Sequence, residues 1–241
     1  MHRFLRLLGC LTILCLSVPA HAAKVAVENP SRMLPASAYL IGSYDGQGRP
    51  DVCVIDRAGI AETPSGRMIF YVGIRPGRQT ARNIEETGAF SVNVPGAALL
   101  AQADYCGKVS AMKDETYFDK FAVTGLKQEK GAAVNAPVLK ECPVVMECKV
   151  VQTREFPGGQ HKVFFGEVIS YSVDSEVLEG DKTRPVSQYD PIKAGAPVYF
   201  AGSAERSGYY ALSGNRGHRG KLWQEKFPQP NGLEVPSGKK H

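Results

Sequence analysis

Apolar positions gather in short runs rich in β-branched and aromatic residues, divided by Gly, Pro, Asn and Asp, and seldom recur every three or four places. That pattern predicts short strands rather than long helices. Residues 38–44 (AYLIGSY) read as a strand, Asp45-Gly46-Gln47-Gly48 as a turn that accepts positive φ, and residues 51–55 as the antiparallel return. Residues 58–67, with Gly59, Thr63-Pro64 and Ser65-Gly66, read as a loop. Residues 68–74 (MIFYVGI) and 89–94 predict two buried strands with a helix between them. Residues 95–104 (PGAALLAQAD) predict a short helix that Asp104-Tyr105-Cys106-Gly107 stops. Residues 108–130 are mixed and charged, and residues 131–135 are small and flexible. A β-rich part follows: residues 143–153, a turn at 156–159, and residues 161–173 as a strand buried on both faces. Residues 174–181 are acidic and expected to be exposed, 197–201 and 208–212 predict short strands, and the proline-containing end reads as a disordered tail. No repeat or composition break marks a second domain. The expectation is one mainly β domain over residues 23–222, built of short antiparallel strands closed into a barrel with a few short helices, and a tail at 223–241.

The first residues stand apart. MHRFLR is basic, residues 7–18 are an unbroken apolar run, and Pro19-Ala20-His21-Ala22 ends in A-x-A, the pattern of a secretory signal peptide over residues 1–22. The run is shorter than the roughly 20 residues of a membrane span, so the expectation is an exported, periplasmic protein with no stable membrane span. Cys10 precedes most of that run, which argues against a lipid anchor. Loss of Arg3 and Arg6 with the leader leaves 27 basic against 24 acidic residues, a formal charge of +3, too weak to point to nucleic acid. Cys53, Cys106, Cys142 and Cys148 remain in a compartment that permits disulfides. Cys142 and Cys148 share one extended segment and should not pair with each other, and small buried thiols are the expected reading for all four. With no Cys-x-x-Cys or Cys/His ligand spacing, no metal site is expected.

The chemistry concentrates between Met68 and Pro95. Arg75 and Arg78 flank a Pro76-Gly77 turn, Thr80 is placed to cap the following helix, and Gly88 stands where a helix end wants a left-handed residue. Thr80 and Asn83 are three apart and share a helix face, while the planar fork of Arg78 suits phosphate oxygens. The stretch therefore reads either as an anion site at a helix N-terminus or as a solvated arginine turn followed by an ordinary cap. Lys120 either adds positive charge to that site or is a surface lysine. His161 opens an apolar strand beside Gly159-Gln160, and His218 lies in a glycine- and arginine-rich loop. Neither has an acid nearby in sequence to orient it. G-x-S-x-G, S-x-x-K, Walker and G-x-G-x-x-G motifs are missing.

Six groups of residues, taken in order, carry a resemblance: Arg78-x-Thr80-x-x-Asn83-Ile84; Gly88-x-Phe90-x-Val92-Asn93-Val94-Pro95; Asp104-x-Cys106-Gly107; Asp119-Lys120-Phe121; Ala136-Pro137 with Glu141-Cys142-Pro143 and Glu147-Cys148; and Gly159-x-His161-x-x-Phe164-x-Gly166-Glu167-Val168. Together they resemble the flavin reductase-like family of the FMN-binding split barrel, especially its flavoredoxin-like members, from about residue 34 to about residue 222. The resemblance implies a six-stranded antiparallel Greek-key barrel that forms a homodimer, with FMN in a groove near the interface. It implies that Arg78, Thr80 and Asn83 serve the flavin phosphate, at the anion site to which the residues themselves already assign Arg75 and the added charge of Lys120. Residues 52–56 and 58–63, including Val54, Ile55, Ala58 and Gly59, would face the isoalloxazine ring, and His161 would stand on the substrate side as the catalytic candidate. Two features depart from relatives: Thr63-Pro64-Ser65-Gly66-Arg67 in place of a Pro-Pro pair, and Asp56-Arg57 where small or apolar residues are common. The resemblance implies a flavin-dependent oxidoreductase of the NAD(P)H:flavin reductase type. The alternatives are an electron carrier served by a redox partner protein, since NAD(P)H is expected to be scarce outside the cytoplasm, and a flavin-free binding module.

Overall fold

The computed structural model describes residues 24, 26, 35–113, 116–175, 198–200, 208–211, 214–218, 226 and 227, nearly all of them in the compact unit Ser31–His241. The leader read over residues 1–22, most of the acidic stretch, and all of the tail except residues 226 and 227 lie outside the described residues. In chain order the elements are β1 (Pro35–Ser37), β2 (Tyr39–Tyr44), β3 (Pro50–Ile55), β4 (Ala58–Glu62), β5 (Met68–Ile74), α1 (Gln79–Thr87), β6 (Ala89–Val94), α2 (Leu100–Lys108), β7 (Met112–Lys113), β8 (Thr116–Tyr117), α3 (Lys120–Thr124), β9 (Gln128–Lys130), β10 (Pro137–Leu139), β11 (Val144–Glu155), β12 (Lys162–Val173), β13 (Val198–Phe200), β14 (Gly208–Ala211) and β15 (Gly214–His218).

The main sheet is antiparallel with the order β3-β2-β6-β11-β12-β5-β4. Its two outermost strands, β3 and β4, are consecutive in the chain and joined only by Asp56 and Arg57. The sheet therefore curls until its ends meet, as a split barrel does. Counted as one bent run, β3 and β4 make the six long strands expected of it. Separate ladders pair β10 with β9, β7 with β8, and β1 with β13, β14 and β15.

Alternation along β2 and β3 explains why these strands show no polar face. Ile41 and Cys53 point into the barrel with Phe70, Val72, Ile74, Phe90, Val92, Met146, Cys148 and Phe164. Leu40, Val52 and Val54 point the other way, into a second apolar layer with Leu100, Ala103, Cys106 and Phe121. A strand covered on both sides has no position left for a solvated residue. Helix α1 adds Ala81 and Ile84 to the barrel interior, so it closes one side of that core and ends at Gly88, whose φ of 67° is the left-handed cap read from the sequence.

Four expectations need correction. Residues 58–62, read as loop, form β4, paired from Ala58↔Val72 to Glu62↔Met68. Its AGIAE sequence has little strand propensity, and the ladder to β5 supplies the order that side chains do not. The second helix runs on to Lys108: Gly107 does not stop it, and its missing Cβ instead makes room for Val54. Residues 131–135 are tied down, because the buried Glu147 carboxylate accepts hydrogen bonds from the N–H groups of Ala133 (2.8 Å) and Val134 (3.0 Å). Finally, β12 is not buried on both faces. Phe164 is fully covered but Ile169 is 48% exposed, since the helices pack over β2 and β3. Within the segment read as a tail, Phe227 packs on Tyr105 with ring centroids 5.4 Å apart.

Candidate functional site

Ser43 and Asp51 stand directly opposite each other on the β2–β3 hairpin, and α1 lies against that hairpin. Residues three apart on a helix project to the same side, so Thr80 and Asn83 arrive as a pair over Asp51 and Ser43. The Thr80 hydroxyl donates to Asp51 Oδ2 at 2.6 Å, and Asn83 Nδ2 donates to Ser43 Oγ at 3.1 Å while its Oδ1 accepts from Gln79 Nε2 at 2.7 Å. Their shared face is thus the one predicted, and it is turned inward. The other Asp51 oxygen, Oδ1, forms an ion pair with Lys120 Nζ at 2.7 Å, and the same ammonium donates to the Val52 carbonyl at 2.8 Å. Lys120 enters from α3, whose first turn is capped by Asp119 accepting from the N–H groups of Phe121 and Ala122. Lys120 is not a surface lysine: it is buried, and its charge is neutralised by Asp51.

Thr80 does not cap α1. The N-cap is Arg78, which makes no side-chain cap bond, and Thr80 is the second residue of the helix. Helix geometry leaves the N–H groups of Gln79 and Thr80 without intrahelical partners, and no acid lies in the first turn. Arg78 instead reaches to the end of α2, where its Nη2 donates to the Gly107 carbonyl at 2.8 Å. That uses one of five guanidinium N–H donors and fixes the fork in place. Arg75 is exposed and has no ion-pair partner among the described residues. Two arginines therefore stand at the positive end of a helix dipole, where basic residues are unfavourable and an anion is favoured.

The other predicted residues are spread over three surfaces. Val54 points to α2 and touches the Gly107 position, while Ile55 and Ala58 line the barrel interior. Gly59 faces outward under the Tyr71 ring. The bond from Arg78 to Gly107 links the anion turn to Val54, so the turn and the end of β3 are neighbours in space. His161 precedes β12, close to Arg57, Arg75 and Asp56. Burial first, and then the charges of Arg57 and Arg75, hold its imidazole below its ordinary value of 6.5, against an opposing pull from Asp56. His218 is on β15, away from the main sheet's ladder.

All four cysteines are buried and free. Burial pushes the thiols of Cys106 and Cys148 up to about 12, and raises those of Cys53 and Cys142 as well. Cys53 lies among Asp51, Lys120, Thr80 and Arg78, yet it is protonated and inert as a nucleophile. The residue that sequence reasoning missed is Asp51. An acid one place into the apolar run PDVCVI is itself a signal, because a buried carboxylate demands a partner, and Lys120 was the candidate at hand.

A family model described as the flavin reductase like domain matches residues 31–203. Among solved structures, the chain is similar to flavoredoxin of Desulfovibrio vulgaris, with 29% identity, a TM-score of 0.67, and coverage of 79% of this chain and 93% of that one. It is also similar in fold to flavoredoxin from Methanosarcina acetivorans, with 23% identity, a TM-score of 0.64, and coverage of 90% and 98%. A protein of Archaeoglobus fulgidus is 32% identical over 137 residues, 57% of this chain and 72% of its own length.

Proposed function

The chain belongs to the flavin reductase-like domain family, and from that premise we propose that it binds FMN and acts as an oxidoreductase of the flavin reductase type. One observation carries the reading: the first turn of α1 has Arg78 as its N-cap, Arg75 three residues earlier and no acid. A helix start built this way lacks the negative charge that ordinarily balances its dipole, and a phosphate supplies it. The residues present fit the group. The N–H groups of Gln79 and Thr80 and the guanidinium of Arg78 would hold the phosphate. Thr80, Asn83 and Lys120 hold α1 and β3 in register through Ser43 and Asp51. When bound, FMN would supply hydride or single-electron transfer, with NAD(P)H as the donor in the reductase reading. The protein's part is to keep the clamp rigid and the barrel wall dry. His161, neutral near neutral pH, offers a hydrogen bond on the substrate side.

The visible spectrum of the purified protein tests this. A yellow protein, or one whose quenching of added FMN fluorescence saturates, supports the reading; a protein that stays colourless with FMN overturns it and leaves the flavin-free module. A second reading, an electron carrier served by a redox protein, is favoured by the 29% identity to a flavoredoxin. Anaerobic mixing with NADH and with NADPH separates the two, because bleaching by either supports the reductase and bleaching by neither supports the carrier.

Two further proposals go with it. The chain forms a homodimer, supported by exposed Ile60, Val151, Phe156 and Ile169 on neighbouring strands and their turn, and light scattering would reveal a monomer if this is wrong. It is exported after cleavage at Ala22, which the N-terminal sequence of the periplasmic protein would verify.

A further inference from the structure

Along β5 the side chains of Phe70, Val72 and Ile74 enter the barrel, so Tyr71, Gly73 and Arg75 point outward. The register carries that outward row onto both neighbours. Phe165 stands opposite Tyr71 and Val163 opposite Gly73, and His161, one residue ahead of β12, lies close to Arg75. On the other side Gly59 is opposite Tyr71, and Arg57, one residue ahead of β4, lies across from Gly73, whose N–H donates to the Arg57 carbonyl at 2.7 Å. A Cβ on Gly73 would touch the Cβ atoms of Arg57 at 3.4 Å and His161 at 3.8 Å. The two side chains therefore rise from either side of one glycine, with Arg75 next in the row. Next along the same face Tyr71 and Phe165 form an aromatic pair, ring centroids 6.0 Å apart and tilted by 41°. Asp56 Oδ1 accepts from Arg57 Nη1 at 3.0 Å, and its own side chain is only 14% exposed. That bond orients the guanidinium without using its other donors.

We propose that this outward corner, with Arg57 and Arg75 beside His161 and Tyr71 and Phe165 alongside, binds the carboxylate of a small planar organic acid, the substrate class of this protein. The inference rests on the flavin reading, since the corner takes in His161, the group assigned there to the substrate side. Two guanidiniums beside an aromatic pair select charge and flatness together: the forks bond a carboxylate, and the rings stack on what is attached to it. Asp56 offsets one of the two positive charges, and Arg75 leaves the corner net positive.

Benzoate and benzamide share a shape and differ in charge, so they are the probes. Both are titrated into the FMN-loaded protein, reading the flavin absorption band, and into the flavin-free protein, reading the His161 ring-proton shifts by NMR. Benzoate is expected to bind at least about tenfold more tightly than benzamide, and the preference should fade as salt is raised. Arg57→Gln should abolish the preference while leaving FMN affinity unchanged. Equal binding of the two probes, no binding of benzoate, or an undiminished preference in Arg57→Gln would overturn the proposal. If FMN does not bind, the flavin reading fails, and the NMR titration still decides the carboxylate site.

Discussion

The ammonium of Lys120 lies 2.7 Å from Oδ1 of Asp51 with both side chains 2% exposed, and the pair joins α3 to β3 beneath the first turn of α1. Removing one partner strands a buried charge. Lys120→Met should therefore destabilise the fold by about 3–5 kcal/mol, and Asp51→Asn combined with it should recover part of that loss. Urea unfolding of the two variants and the parent measures both. A double variant no more stable than Lys120→Met would show that the loss does not come from a stranded Asp51 charge.

At the clamp, Arg78→Ala should weaken FMN binding by about 1.5–3 kcal/mol, the range for a hydrogen bond to a charged group. Flavin fluorescence quenching gives the affinity directly, and an unchanged value removes Arg78 from the site.

Gly107 tests the link between the clamp and β3. An added methyl at Gly107 would sit far inside the ordinary contact distance to Val54 Cγ1. Overpacking of this kind costs about 1–3 kcal/mol, so Gly107→Ala should lower thermal stability. It should also weaken FMN binding, because the carbonyl that anchors Arg78 must shift.

The imidazole of His161 provides a pH readout. Burial is the first cause of its lowered value and Arg57 the second, so taking away the Arg57 charge should raise it. Because the folded state holds this proton less tightly than the unfolded chain does, His161 favours folding above its ordinary value and opposes it as pH falls towards its lowered one. Arg57→Gln should narrow that window. An NMR titration of the His161 ring protons in the two proteins follows the shift, and an unmoved midpoint would separate the two residues.

Labelling checks the thiols. Burial holds all four in the unreactive protonated form. A thiol reagent should modify almost none in the native protein lacking its leader and four after unfolding; two after unfolding would mean that a disulfide had formed.

Much of this was legible in the sequence, and the reasons differ from residue to residue. The unit from β5 through α1 to β6 was readable except at the start of α1, where Arg78 and not Thr80 is the cap, because its signals are local: a β-branched run, a Pro-Gly turn, a helical stretch and a glycine cap. The direction in which Thr80 and Asn83 point was not, because it depends on Ser43 and Asp51, some 30 to 40 residues away and brought opposite each other by the hairpin. β4 was missed since its order comes from pairing with β5 rather than from its own side chains. Lys120 read either as added charge for the anion site or as a surface lysine, because the buried acid that faces it lies 69 positions earlier in the chain. Asp56-Arg57 stood out in the sequence as unusual, but only the register shows that Arg57 stands across the outward face from Arg75 and His161.

The joint at Asp56 and Arg57 has one more consequence. Everywhere else along the main sheet, neighbouring strands are held by ladders of hydrogen bonds that fluctuations break and remake singly. At the seam between β3 and β4 the tie is the chain itself, two residues long. A covalent tie cannot fray. The two halves of the barrel are leashed at the place where Arg57 begins the outward corner, and any breathing of the seam must pivot about that leash rather than unzip past it.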